Sequence, residues 1–228
     1  FPGLTVFCKA ACQILEGNDL KEAGTAISDY KQQIPMRATL ENNTITGAHN
    51  GIVLNDNTNN IVMSGNTSYG NQNGIIISEW WVANKTRDNF ITNNIFCATD
   101  YRQHTLSISS VAVPDFNPGV IDSNTYVSLF ERFHLCSVSL QNGEIKRTDE
   151  CSYKGWKLLT GLDKHSRAVI NPGGKTLKTE LLVNEKKIPI TWSLDDKKGY
   201  TDLEGVPVSG EIILPPLSSR ILIYETND

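Results

Sequence analysis

Methionine is almost missing from this chain, with two in 228 residues. Long apolar patterns of helical period are scarce as well, which argues against a helical architecture. There is no basic run and the formal net charge is −4, so a nucleic-acid backbone is not the partner. No window stays apolar long enough to cross a bilayer as a helix, and the chain does not read as membrane-spanning. The five cysteines, at 8, 12, 97, 136 and 151, are odd in number and lack the paired spacing of a zinc ribbon. They read as small buried apolar residues, not as a disulfide framework or a metal site.

What the chain has instead is repetition. Within residues 40–77, an apolar residue, two spacers and an Asn occur as Leu40-Glu41-Asn42-Asn43 and as Met63-Ser64-Gly65-Asn66. Asn-Gly-Ile opens a short β-like run at Asn50-Gly51-Ile52 and again at Asn73-Gly74-Ile75. Both units repeat at an offset of 23 residues. A fixed period with short strands and no helix signal marks a β-solenoid. The Asn column extends to Asn18, Asn94 and Asn124, with spacings of 25, 23, 28 and 30 along the series. Unequal rungs imply loops inserted at some turns.

The unit has a simple physical reading. Leu15, Leu40, Met63, Ile91 and Ile121 stack into one interior ladder, each rung about 4.8 Å from the next. The Asn supplies the left-handed backbone that a sharp corner needs, and its amide bonds from rung to rung. Gly17, Gly65 and the strand-opening glycines ease the corners.

The expected fold is therefore all-β. Residues 1–128 form parallel β-helix rungs with longer loops at 83–88 and 111–119. Residues 129–170 close the core, with a short helical turn around Trp156, Leu158 and Leu159 capped by Gly161. After the break at Asn171-Pro172-Gly173-Gly174, residues 171–228 show short alternating runs separated by turn signals, which read as a small antiparallel β-sandwich. Phe1 already sits in a rung, so the chain reads as the C-terminal part of a longer protein, and upstream rungs are a further place for chemistry.

Alignment on the strand glycines puts Asp29, Asp56 and Glu79 in one column, five residues after Gly24, Gly51 and Gly74. Acids on neighbouring rungs would lie about 5 Å apart. Like charges that close need a counter-charge, and oxygen ligands at this spacing suit calcium. The same spacing also fits the carboxyl pair of a retaining glycosidase. His49 and His104 precede strand starts and are candidate general bases. Trp80 and Trp81 follow Glu79. Side chains alternate along a strand, so one Trp faces outward, to stack on a sugar or to cover a loop. Val53 and Ile76 point outward on this face, which suggests cover from the C-terminal part, a loop or a partner.

Two tail segments carry a resemblance. Residues 153–166, YKGWKLLTGLDKHS, are similar to the Trp…Thr-Gly-x-Asp-x-His-Ser segment that closes many secreted bacterial β-helix proteins. Residues 200–223, YTDLEGVPVSGEIILPPLSSRILI, are similar to the ending of such proteins in polysaccharide-degrading Bacteroidetes. With the rungs, the chain resembles the right-handed parallel β-helix repeat family, of pectate-lyase-like fold. That resemblance implies right-handed winding, export to the cell surface or beyond, and a polysaccharide or glycan partner. Lyases of this fold pair calcium with a Lys or Arg base, and Lys31 and Arg37 share a rung with Asp29. Three expectations remain open: a carbohydrate-active lyase or hydrolase with His49, Asp56 and Glu79 as catalytic groups and Trp80, Trp81 and Lys31 on the substrate; a noncatalytic glycan-binding or surface scaffold; and a scaffold whose chemistry lies in upstream rungs.

Overall fold

The computed structural model describes residues 6–7, 13–16, 19–21, 25–29, 38–55, 58–79, 86–110, 117–130, 133–140, 144–171, 173 and 175–226. Side chains are described at 38–54, 58–79, 86–109, 117–130, 133–134, 151–171, 173 and 175–226.

Each of the first five turns of the winding contributes one strand to each of three sheets. The first turn holds β1 (Val6–Phe7), β2 (Gln13–Glu16) and β3 (Asp19–Lys21), and the second β4 (Thr25–Asp29), β5 (Ala38–Glu41) and β6 (Thr44–Thr46). The third holds β7 (Asn50–Asn55), β8 (Ile61–Ser64) and β9 (Thr67–Tyr69), and the fourth β10 (Asn73–Glu79), β11 (Asn89–Thr92) and β12 (Ile95–Ala98). The fifth holds β13 (His104–Ser110), β14 (Gly119–Asp122) and β15 (Thr125–Ser128). The last turn begins at β16 (His134–Leu140). It passes through β17 (Glu144–Cys151) and helix α1 (Tyr153–Thr160), and ends at β18 (Arg167–Ile170). We call the sheets A (β1-β4-β7-β10-β13-β16, with β17 at the end), B (β2-β5-β8-β11-β14) and C (β3-β6-β9-β12-β15-β18). Within each sheet the successive rungs pair in parallel. The winding is a right-handed parallel β-helix, the hand that crossovers between parallel strands take. The closing segment expected at 129–170 is thus itself the last turn.

The interior ladder follows the expected register, Leu15–Leu40–Met63–Ile91–Ile121. From Leu40 onward its members are at most 3% exposed. Ile52, Leu54, Ile75, Ile77, Leu106 and Ile108 from sheet A and Ile45, Phe96 and Tyr126 from sheet C complete the same core. Gly51 and Gly74 are required by close approach. A Cβ on Gly51 would lie 2.5 Å from the Gly74 carbonyl oxygen, and one on Gly74 would lie 2.5 Å from that of Thr105.

The corner between sheets B and C is built differently from the expectation. The left-handed residue is the one before each ladder asparagine: Asn42, Gly65, Asn93 and Ser123, with φ of 56°, 67°, 57° and 58°. The ladder asparagines Asn43, Asn66, Asn94 and Asn124 are each 1% exposed. Asn66 Oδ1 accepts the Asn43 backbone N–H at 3.0 Å and its side-chain amide at 2.8 Å. Asn66 Nδ2 donates to the Leu40 carbonyl at 2.8 Å and to Asn94 Oδ1 at 2.9 Å. Each asparagine therefore caps the corner of the preceding rung, and the ladder has a direction. Asn66→Leu strands several buried donors at once, so we expect it to cost about 2–3 kcal/mol, read as a lower midpoint of denaturant unfolding. An unchanged midpoint would contradict the capping role.

The directed ladder needs a terminator. The Asn124 N–H donates to Ser166 Oγ at 2.7 Å, and Ser166 Oγ donates to Asp163 Oδ1 at 2.5 Å. Asp163, 1% exposed with φ 56°, also accepts from Trp156 Nε1 at 2.7 Å and from the Tyr126 hydroxyl at 3.0 Å. The backbone N–H of Asp163 donates to the Ile121 carbonyl at 2.7 Å, which covers the last strand of sheet B. Gly161, at φ 69°, caps α1 as expected. Of the helix residues expected to close the core, only Trp156 does so. Leu158 and Leu159 are 78% and 59% exposed, because a helix of two turns presents one face to the core.

The C-terminal part holds β19 (Thr176–Asn184), β20 (Ile190–Ser193), β21 (Tyr200–Thr201), β22 (Pro207–Val208), β23 (Glu211–Leu214) and β24 (Ser218–Thr226). They form two antiparallel sheets, β19-β24-β21-β22 and β20-β23, around Leu182, Leu194, Tyr200, Ile212, Leu214 and Leu222. This module packs on the outer face of sheet C, where Ile221, Leu181 and Leu203 meet Tyr69, Cys97, Val127 and Val169. On sheet A, the face expected to be covered by the C-terminal part, a loop or a partner, Val53 is buried at 7% exposure, and the module's apolar contacts lie on sheet C instead.

Candidate functional site

The acidic column expected on sheet A does not stack as aligned. Thr25 pairs with Asn50 and Asp29 with Leu54, which in turn pairs with Ile77, so Asp29 is two residues away from the row of Glu79. The strand offset here is 25, the same as in the Asn column, and not the 27 implied by matching Gly24 to Gly51. Asp56, Lys31, Arg37, Trp80 and Trp81 lie outside the described residues, as does the side chain of Asp29.

Glu79 is 1% exposed, and its Oε1 accepts the Thr86 backbone N–H at 2.8 Å. That bond ties together the two ends of the intervening loop. His49 is exposed at a corner, and its carbonyl accepts the Asn73 N–H at 3.0 Å. His104 is buried and lies in the row of Asn50 and Asn73, so the two histidines belong to different columns. Among the described residues, no group of three or more His, Cys, Asp or Glu is placed to hold a metal ion. Burial pushes the Cys97 thiol up to about 12, and Sγ contacts Thr179 Oγ1 at 3.9 Å. A protonated buried thiol is neither a nucleophile nor a ligand.

The structure instead exposes a stripe on sheet B. Thr39, Val62, Phe90 and Val120 share one outward row, and Val62, Phe90 and Val120 are 37%, 51% and 44% exposed. The three apolar members span about 10 Å along the axis. One flank is the parallel outward row Glu41–Ser64–Thr92–Asp122. The exposed Asn60 and Asp88 edge the other flank. Asp122 Oδ2 bonds His165 Nδ1 at 2.7 Å, and Oδ1 accepts the His165 and Ser123 N–H groups. Partial burial alone would raise this carboxyl, but those bonds outweigh it and hold it below the usual carboxylate range. The chemical offer is a flat apolar strip between two lines of hydroxyl, amide and carboxylate groups. Alternation around the inward ladder carries this stripe in the sequence, since each member immediately precedes an inward apolar residue.

Residues 4–111 match a family described as periplasmic copper-binding protein (NosD). The match runs from the first rungs through β13, and with the stacked parallel sheets it supports a β-helix repeat protein. The closing turn and the antiparallel module lie beyond it. Comparison with the curated proteins and with the solved structures gives no match.

Proposed function

We propose that this chain is an exported β-helix binding module that holds a glycan, without catalysis, along the outer face of sheet B. The observation that carries the reading is the exposed Val62–Phe90–Val120 stripe between polar rows. A pyranose ring has an apolar C–H face that stacks on an aromatic ring, and its edge hydroxyls reach hydrogen-bonding groups on either side. Three side chains over about 10 Å fall far short of the roughly 800 Å² per partner of a stable protein interface, but they suit one or two sugar rings. Export accords with the periplasmic setting in the matched family's description. Among the described residues no helix is long and apolar enough to cross a membrane.

The lyase or hydrolase reading has less support. Glu79 is buried on a backbone N–H, and Asp29 is out of register with its expected partners. Calcium on the column Asp29, Asp56 and Glu79 loses the three-rung stack that motivated it. Copper, which that family's description names, favours Cys, Met and His ligands. Here Met63 is enclosed in the core, Cys97 is protonated and buried, and among the described residues no three His, Cys, Asp or Glu side chains converge. The described residues do not fit a copper site.

The test is affinity electrophoresis on a panel of neutral and uronate polysaccharides, together with assays for reducing ends and unsaturated products. Binding without product is expected. Phe90→Ala should weaken it about tenfold, the equivalent of roughly 1.4 kcal/mol of ring stacking, without lowering the melting temperature. Release of product by the protein, or binding untouched by Phe90→Ala, would overturn the reading.

A further inference from the structure

Round the corner from the stripe, the β-helix and the antiparallel module enclose a cleft of about 590 Å³. Its floor is the Gly65 corner with Thr67 of β9 and Ile95 of β12, and its wall is the loop that enters β24, Pro216, Leu217 and Ser219. We propose that this cleft is a subsite for a neutral oligosaccharide, continuing the glycan path from sheet B. The proposal rests on the glycan reading of that sheet and adds the place and the class of sugar.

Three observations support it. The first is position. Ser64, a member of the polar row on sheet B, is the last residue of β8, and Gly65, its chain neighbour, lines the cleft. One saccharide chain can therefore leave the stripe and turn the corner. The Asn42 side chain lies across this glycine, whose Cβ would come 2.4 Å from Asn42 Oδ1. The corner thus carries an amide in place of a blocking side chain.

The second is a preset wall. Leu217 holds φ 48°, a region that L residues rarely occupy. Its N–H donates to the Lys186 carbonyl at 3.0 Å. Asn184, 1% exposed, donates to the Leu214 and Pro215 carbonyls at 3.1 and 2.6 Å. Ser218 Oγ donates to the Pro215 carbonyl at 2.7 Å. The loop is over-determined by these bonds and holds a side chain in an unfavourable backbone region at a cleft rim, where strain tends to accompany ligand contact.

The third is the lining chemistry. Thr67, Ser219 and Asn42 bring hydroxyl and amide groups to a lining shared with Ile95, Pro216 and Leu217, and among the described residues no charged side chain lines the cleft. A uronate, sulfate or phosphate would bury its charge without a counter-ion there, whereas a neutral sugar exchanges hydroxyl for hydroxyl. The volume is in the usual range for small-molecule sites.

Leu217→Gly removes the wall while relieving the backbone, so the melting temperature should hold or rise. Ser219→Trp fills the cleft from a partly exposed position. Titration calorimetry with neutral β-linked tetrasaccharides of glucose, mannose and galactose, and with tetragalacturonate, should show binding of at least one neutral sugar. That affinity should fall at least tenfold in both variants and change less than twofold between low and high salt. Polysaccharide binding that is lost in Phe90→Ala but untouched in both cleft variants would overturn the cleft and leave the stripe standing. Tetrasaccharide binding lost in the cleft variants but untouched in Phe90→Ala would keep the cleft and overturn the stripe. A preference for the galacturonate would overturn the neutral class, and no binding of any glycan would overturn both.

Discussion

Asp163→Ala should destabilise the protein by about 3–5 kcal/mol, the largest loss expected from any single truncation described here. Asp163 is the acceptor at which the asparagine ladder ends. Its loss leaves the Trp156 indole N–H, the Tyr126 hydroxyl and the Ser166 hydroxyl without their buried acceptor. Each such group costs about 1–3 kcal/mol. Burial raises the Asp163 carboxyl, while bonds from Ser166, Trp156, Tyr126 and Asn124 pull the other way. Removing a carboxylate that is costly to bury returns part of the loss. The melting temperature should fall by roughly 10 °C, at about 2–4 °C per kcal/mol for a chain of this size. Asp163→Asn keeps one acceptor oxygen and should lose about half as much. Calorimetric scans of both variants decide it, and a fall below about 2 °C for Asp163→Ala would mean that the closure does not depend on this carboxylate.

Acid should unfold the protein through His134, and His134→Phe should remove much of that sensitivity. His134 is fully buried. Thr105 Oγ1 donates to the Phe133 carbonyl at 2.7 Å, so it receives the His134 Nδ1–H at 2.9 Å, which places the neutral ring's lone pair on Nε2. Tyr126 and Trp156 meet the ring edge-on at centroid distances of 4.7 and 5.5 Å. Burial lowers its pKa to about 3, outweighing the opposing effect of the Phe133 carbonyl, with a smaller lowering from the neighbouring His104. The unfolded ring titrates near 6.5. Below that pH the unfolded chain takes up a proton that the folded one refuses. Stability is therefore complete above about pH 6.5 and declines down to pH 3, by up to roughly 4 kcal/mol. Asp163 works the other way, because a raised carboxyl pKa favours the folded state as pH falls, and it offsets part of the loss. In His134→Phe, Thr105 keeps its bond to Phe133, so the cost at pH 7 should be about 1 kcal/mol. Its melting temperature should then fall less steeply than the wild type's between pH 6.5 and 4. Parallel curves for the two proteins would contradict the assignment.

The sequence by itself determined the parts that repeat. Leu40, Met63, Ile91 and Ile121, with the Asn three residues after each, recur because every rung meets the same neighbours above and below. A local pattern then suffices to specify the packing. Gly51 and Gly74 recur because each rung brings a backbone carbonyl against them. The Trp-to-Ser segment at 156–166 was legible as a closure for the opposite reason, since it breaks the period where the column needs an end.

Tertiary structure decided what the period does not contain. Corner lengths differ from rung to rung, so the pairing of Asp29 with Leu54 was fixed by whole-strand register, and a matched glycine was a poor guide to it. Ser166 stands in the ladder position that Asn fills elsewhere, because Asp163 lies beside it to accept its hydrogen bond. Glu79, a candidate site carboxylate by its column, is buried, because the chain returns at Thr86 to meet it. Which face stays bare was decided by where the antiparallel module docks. Tyr69, Cys97 and Val127 give it an apolar seat on sheet C. Val62, Phe90 and Val120 on sheet B remain open to solvent, since contacts between a repeating and a non-repeating part are non-local and leave no trace in the period of either.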